Sequence, residues 1–182
     1  MKSAWLMIIG VVTGMSSEIL GYEAAYAPTE PGAVQVRTLP AATGLVARVD
    51  GAYFDHANTL FRRLFRYIQS HGIAMTVPVE VHMQPGQMLF YVGAGDLGKC
   101  VTNDPHVTVV MVPPRTVAAL GARGGYTASN FAQTAAALQA WLAAHPQYRT
   151  NGPAYGVYWH GPFRPWFLKR YEVHVPVSEA EP

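Results

Sequence analysis

The chain has 182 residues; half are hydrophobic, 12% are aromatic and only 13% are charged, with a formal net charge of +2. A charged fraction well under the usual ~25% excludes a disordered chain and predicts one globular domain with a sizeable core. No block of like charge runs far, which excludes the clustered basic face of a nucleic-acid binder, and the lone Cys100 excludes an internal disulfide framework or a zinc site of several thiolates.

Residues 1–21 read MKSAWLMIIGVVTGMSSEILG. One lysine precedes an uncharged apolar run over 4–12, too short to span a bilayer comfortably, and Ser16, Ser17 and Gly21 supply small residues for cleavage. The pattern predicts a signal peptide over 1–21, export to the periplasm or beyond, and a single domain over 22–182. An uncleaved N-terminal membrane anchor is the alternative. No cysteine lies just after the run, which argues against a lipid-anchored form.

Turn signals surround a short strand over 34–38, and an apolar strand follows over 45–49. The strongest helix is predicted over 53–70, where Phe54, Ala57, Phe61, Leu64, Phe65 and Ile68 recur at three and four residues. His71-Gly72 ends it. Residues 73–82 alternate as a strand, with Pro78 marking an interrupted ladder or an edge. The turn QPGQ over 84–87 and the run over 88–92 complete a hairpin. GAGDLG over 93–98 has the spacing G-x-G-x-x-G, yet no helix pattern follows it, so it reads as loop. Strands are predicted over 107–112 and 116–121, on either side of Pro113-Pro114. A second helix covers 129–144 and stops at His145-Pro146. The last strands, 155–159 and 171–177, flank the aromatic, proline-rich loop GPFRPWFLKR.

This order repeats. At an offset of 74, Gly51 falls on Gly125, Leu64 on Leu138, Tyr67 on Trp141, Ile68 on Leu142 and His71 on His145. Two strand–helix–strand–strand units predict a pseudo-twofold α+β domain with helices on one side of the sheet and a cleft on the other.

The helix segment FRRLFRYIQ (61–69), the strand IAMTVPV (73–79) and the closing block WHGPFRPWFLKRYEVHVPV (159–177) resemble the SOUL/heme-binding-protein family over residues 22–177. Tyr171 stands where members usually carry Asn, and the link between helix and strand is short. The resemblance implies a distorted β-barrel of two pseudo-symmetric strand–helix–strand–strand repeats with two flanking helices. It implies reversible binding of heme or another tetrapyrrole as carrier, scavenger or buffer, a transient heme donor or acceptor protein, and a monomer or weak oligomer. The same architecture is similar to gyrase-inhibitor-like domains, which gives the alternative of a small-molecule-binding domain or hydrolase with Glu172 as its cleft acid.

Toward such a ligand, Arg62 and Arg66 offer forked donors for propionates from the first helix, and Arg164 offers another from the closing loop. Phe163 and Trp166 can stack on a flat ring or plug the barrel end. Met75 and Met83 lie an even number of positions apart, so a regular strand puts them on one face, and Met75 suits an adaptable apolar wall. His160, beside Trp159 and Gly161, is the candidate iron ligand. Glu172 is the one carboxylate within a strongly apolar strand, facing the cleft, exposed on the strand or paired with Arg170. No H-E-x-x-H, G-x-S-x-G or P-loop pattern occurs.

Overall fold

A computed structural model describes residues 22–100, 104–161 and 164–179. The predicted signal peptide, and Phe163 of the closing loop, lie outside the described residues. Among the described residues, no helix is long and apolar enough to cross a membrane.

The strands are β1 (Glu23–Ala24), β2 (Val34–Leu39), β3 (Ala42–Arg48), β4 (Thr76–Val77), β5 (Val79–His82), β6 (Gln87–Tyr91), β7 (Thr108–Val112), β8 (Arg115–Arg123), β9 (Tyr148–Thr150), β10 (Tyr155–Tyr158) and β11 (Arg170–Glu179). The helices are α1 (Tyr53–Ser70) and α2 (Ala128–Ala143). Eight strands form one strongly curled antiparallel half-barrel in the order β2-β8-β11-β10-β5-β6-β3-β7, and β9 pairs with the far end of β11. α1 packs over β3 and β6, and α2 over β8 and β11. The pseudo-twofold passes between β5 and β10, and maps β3-α1-β5-β6 onto β8-α2-β10-β11.

The prolines explain how the halves are joined. Leu39 of β2 pairs with Arg115 of β8, and Ala42 of β3 pairs with Val112 of β7, so one continuous register runs through both ladders. β2–β3 and β7–β8 are therefore one long antiparallel ribbon, broken where Pro40-Ala41 faces Pro113-Pro114. Proline has no N–H to give a ladder, so both strands lose their bonds at the same place and the ribbon bends there. Each half thus lends its first strand to the other.

α1 begins and ends where the periodicity places it. Tyr53, Leu60, Leu64, Tyr67 and Ile68 are buried on the sheet, each contributing about 1.5–3 kcal/mol by transfer. The buried stripe is rotated from the expected one, so Phe65 is left 38% exposed. His71 is the C-cap, and Gly72 takes the left-handed φ of +62° that a side chain would resist. His71 Nδ1 lies 2.8 Å from the Tyr67 carbonyl and the ring stacks on Tyr67; at the equivalent place His145 Nδ1 lies 2.7 Å from the Trp141 carbonyl and stacks on Trp141. The sequence offset thus reproduces a matched pair of helix ends.

The alternating run after α1 is not one strand. Residues 73–75 are irregular, so the even spacing of Met75 and Met83 does not decide their faces; both are half-buried against the main core. Pro78 divides the rest: β4 pairs in parallel with β1 in a separate two-stranded sheet, whereas β5 enters the half-barrel. β1 and β9 were not foreseen; each is only two or three residues long and has no periodicity to show.

Residues 22–31 cross the sheet as a strap on the face away from the helices. Gly121 of β8 lets the strap come close: Gly32 N–H donates to the Gly121 carbonyl at 2.8 Å, and a Cβ at Gly121 would lie 2.4 Å from the Glu30 carbonyl oxygen and 2.6 Å from that of Thr29. Gly121→Ala is therefore expected to destabilise the fold by ~2 kcal/mol, the usual scale of overpacking against a backbone that cannot yield. Urea unfolding checks this, with Gly98→Ala, whose added Cβ would meet nothing within 4 Å, as the comparison.

Candidate functional site

On β5 and β11, residues two apart share a face. Val81, Val173 and Val175 turn to the helices and join the main core. Glu80 and His82, and likewise Glu172 and His174, turn to the opposite face. The triplet Glu-Val-His thus occurs twice, at 80–82 and 172–174, on strands flanking β10. Glu80 and Glu172 stand opposite Val157 from its two sides. His174 stands opposite Tyr155, and His82 stacks on the Tyr155 ring at 5.0 Å. Only Glu172 of this set was singled out in the sequence; the doubled triplet was the available signal.

Each acid is buried and fully occupied. Glu172, at 0% exposure, accepts from Trp159 Nε1 at 2.7 Å, Thr29 N at 2.8 Å and His174 Nε2 at 2.8 Å, with Arg37 Nη2 at 3.6 Å. Arg170, its expected partner, pairs with Glu30 instead at 2.5 Å. Glu80 accepts from Tyr91 Oη at 2.6 Å and from Arg115, with His82 Nε2 at 2.9 Å. Burial alone would raise both carboxyls; these bonds and guanidinium charges outweigh it and hold both below the ordinary carboxylate range. Burial pushes His174 down, so it stays neutral, donates through Nε2 and offers Nδ1 to Tyr155 Oη at 3.3 Å. Arg115 Nε donates to the same Tyr155 oxygen at 3.2 Å. A single network therefore runs from Glu80 through Arg115, Tyr155 and His174 to Glu172.

The strap closes this face. Glu23–Ala24 pairs with β4, and Arg37 Nη1 donates to the Ala27 carbonyl at 2.6 Å. The Tyr26 ring is ringed by Trp159 at 5.5 Å, Tyr91 at 5.9 Å and His174 at 6.3 Å, with the Arg37 guanidinium 5.0 Å above it. The Tyr26 hydroxyl is buried and makes no hydrogen bond. Beside the strap, an open groove of about 420 Å³ runs past Pro40, Thr43, Val92, Leu97 and Met111.

Arg62 and Arg66 are exposed on the outer surface of α1, where Phe61 and Phe65 stack with centroids 5.5 Å apart. Glu172 is on the other side of the sheet, so these residues do not share a site with it. His160, Arg164 and Trp166 belong to the β10–β11 connection. His160 is 8% exposed and its Nδ1 accepts from Arg170 N at 3.0 Å, so the neutral ring carries its proton on Nε2. Burial, then Arg164, push its pKa down to about 4. Iron binding at Nε2 requires that tautomer to change and the Arg170 bond to break. Among the described residues, no group of three or more His, Cys, Asp and Glu side chains is placed to hold a metal ion.

A model of the SOUL heme-binding protein family matches residues 21–176. The chain belongs to this family. No curated protein matches it at a significant level. Similar solved structures support the SOUL-type fold. The C-terminal domain of EcmrR superposes with a TM-score of 0.64 at 14% identity, over 81% of this chain and 98% of that domain. In the EcmrR–DNA complex the TM-score is 0.65 at 13% identity, over 81% of this chain, and this chain spans only 58% of the EcmrR chain. A hydrolase from Listeria innocua gives 0.57 at 11% identity, over 84% and 94% of the two chains. SAV2435 bound to tetraphenylphosphonium gives 0.50 at 11% identity, over 80% and 94%. At such identities the likeness is one of fold.

Two outcomes follow from the buried network and from His160. Glu172→Gln puts an amide where Trp159, Thr29 and His174 all donate, and leaves Arg37 without its counter-charge. It is expected to destabilise by ~3 kcal/mol, the scale of breaking a buried ion pair, in urea unfolding against an exposed Glu23→Gln control. Stability is also expected to fall as pH drops from 6.5 toward about 4, because the unfolded chain takes protons that folded His160 and His174 refuse. The loss then continues as Glu80 and Glu172 protonate below their ordinary 4.5. Melting midpoints across this range check the slope, and His160→Asn should flatten its upper limb.

Proposed function

We propose that the protein binds heme or a related tetrapyrrole reversibly, as a carrier, scavenger or buffer and not as a catalyst. The match to the SOUL heme-binding family over residues 21–176 carries this reading. The chain's own residues fit such a ligand on the outer face of α1. Phe65 offers a flat apolar surface, 38% exposed, and Arg62 and Arg66 lie one turn apart beside it. Arginine forks suit propionate carboxylates, and the stacked Phe61 keeps Phe65 in place. Heme supplies the redox and ligand-binding chemistry of its iron; these side chains position and hold it. The proposal extends to export: one lysine ahead of the apolar run at 4–12 is the pattern of a signal peptide over residues 1–21.

A heme titration followed at the Soret band tests this. Saturable binding with a shifted band at micromolar heme is expected, and its absence overturns the proposal. The double variant Arg62→Ala/Arg66→Ala should weaken binding by about tenfold to a hundredfold, from two charge-assisted bonds of ~0.7–1.4 kcal/mol each at an exposed surface.

A second reading is favoured by the strap. The face carrying Glu80 and Glu172 is covered by ten residues that sit in it as a ligand would, with an aromatic ring at the centre. A small-molecule site for a gyrase-inhibitor-like domain, using Glu172, would open there on displacement of Tyr26. The bound tetraphenylphosphonium of SAV2435 is consistent with an aromatic ligand in such a fold. Binding of tetraphenylphosphonium to Tyr26→Ala, but not to Glu172→Gln in the same background, would distinguish this site from the heme surface.

A further inference from the structure

From Pro105 to Tyr171 the sequence contains no aspartate or glutamate, while it contains Arg115, Arg123, Arg149, Arg164, Lys169 and Arg170. Folding pairs Arg115 with Glu80 and Arg170 with Glu30. Arg123, Arg164 and Lys169 gather at one end of the sheet. Arg123 stands opposite Arg170 in the β8–β11 ladder, Gly124 N donates to the Lys169 carbonyl at 3.0 Å, and Arg164 Nε donates to the Leu168 carbonyl at 3.1 Å. All three therefore surround the short turn Trp166–Leu168.

That turn holds three consecutive large apolar residues in water: Trp166 is 69% exposed, Phe167 57% and Leu168 41%. Their exposure is built in. Leu168 N donates to the Pro165 carbonyl at 3.0 Å and Lys169 N to the Trp166 carbonyl at 3.2 Å. A Cβ added at Gly125 would lie 3.8 Å from Trp166 Cβ, Trp166 meets Phe167 edge-on at 5.8 Å, and Lys169 Nζ lies 5.0 Å over the Tyr126 ring. A fixed apolar ridge of this kind, rimmed by cations, marks a contact surface.

We propose that this ridge docks the protein on an anionic lipid bilayer. Trp166, Phe167 and Leu168 enter the boundary between headgroups and acyl chains, while Arg123, Arg164 and Lys169 meet lipid phosphates. Tryptophan and phenylalanine beside lysine and arginine are the residue set of membrane interfaces. A protein partner needs ~800 Å² per side, more than three side chains provide, and a nucleic acid, whose bases can stack on Trp166 and Phe167, leaves the aliphatic Leu168 uncovered. A bilayer needs only shallow insertion plus about 1 kcal/mol from each cation. This surface is separate from Arg62, Phe65 and Arg66, and the proposal does not rest on tetrapyrrole binding.

The test is co-sedimentation of the full chain with vesicles of phosphatidylcholine alone and of phosphatidylcholine mixed with phosphatidylglycerol. Binding to the mixed vesicles, weakened by salt, is expected. Trp166→Ser/Phe167→Ser should reduce it at least about tenfold by the lost apolar area. Lys169→Gln should reduce it about fivefold, as one cation's share. All three side chains stand at the surface, and an unchanged far-ultraviolet circular dichroism spectrum confirms the fold. Both variants keep the apolar run at 4–12, so association through that segment survives in them. Parent-like binding by the Trp166/Phe167 variant, equal binding to neutral vesicles, or no binding by the parent each overturns the proposal.

Discussion

Burying the Glu172 carboxylate is the constraint on which most of this architecture depends. An ionised acid taken out of water is tolerable only with its lone pairs filled and a counter-charge near. The four groups that meet this need come from four places: Thr29 from the strap, Arg37 from β2, Trp159 from the end of β10 and His174 from β11. One side chain therefore fixes the strap to the sheet and the exchanged strand β2 to the half that receives it. Glu80 repeats the solution around Arg115 and Tyr91, and Tyr155 joins the two clusters.

The duplicated unit distributes roles between the two sides of the sheet. On the helix side the repeat is kept closely, down to the pair of histidines that close α1 and α2 on an aromatic residue four positions earlier. On the other side the repeat has no helix to cover it, and polar side chains, aromatic rings and the strap fill the space. The proline-broken ribbon makes both sides possible. It ties the halves together without a closed barrel ladder, so the sheet curls and a concave face remains to be filled.

The outer surface carries exposed apolar side chains flanked by cations. Phe65 with Arg62 and Arg66 on α1, and the Trp166–Leu168 ridge with its three cations, are two separate patches of this type. The buried acids are different: their charges are matched within the chain, and as folded Glu172 holds the strap in place through Thr29. Tyr26 occupies the face they line.

Much of this was legible in the sequence because it is local or periodic. The bounds of α1 followed from a 3.6-residue repeat and a His-Gly stop, and the duplication from paired residues at one offset. The family followed from the run AMTVPV and the closing aromatic block. The orientation of Phe65, the break of the 73–82 run into two sheets and the strap over β5, β10 and β11 were not legible, because each depends on a partner far away in the chain. Sequence alone determined the two helices, the order of the main strands and the family. Only the tertiary structure decided which charges meet: Glu172 finds Thr29, 143 positions away, and not its neighbour Arg170. The physical reason is that helix and strand patterns are set by nearest neighbours, whereas a buried charge takes its partners from whichever strands the curled sheet brings beside it.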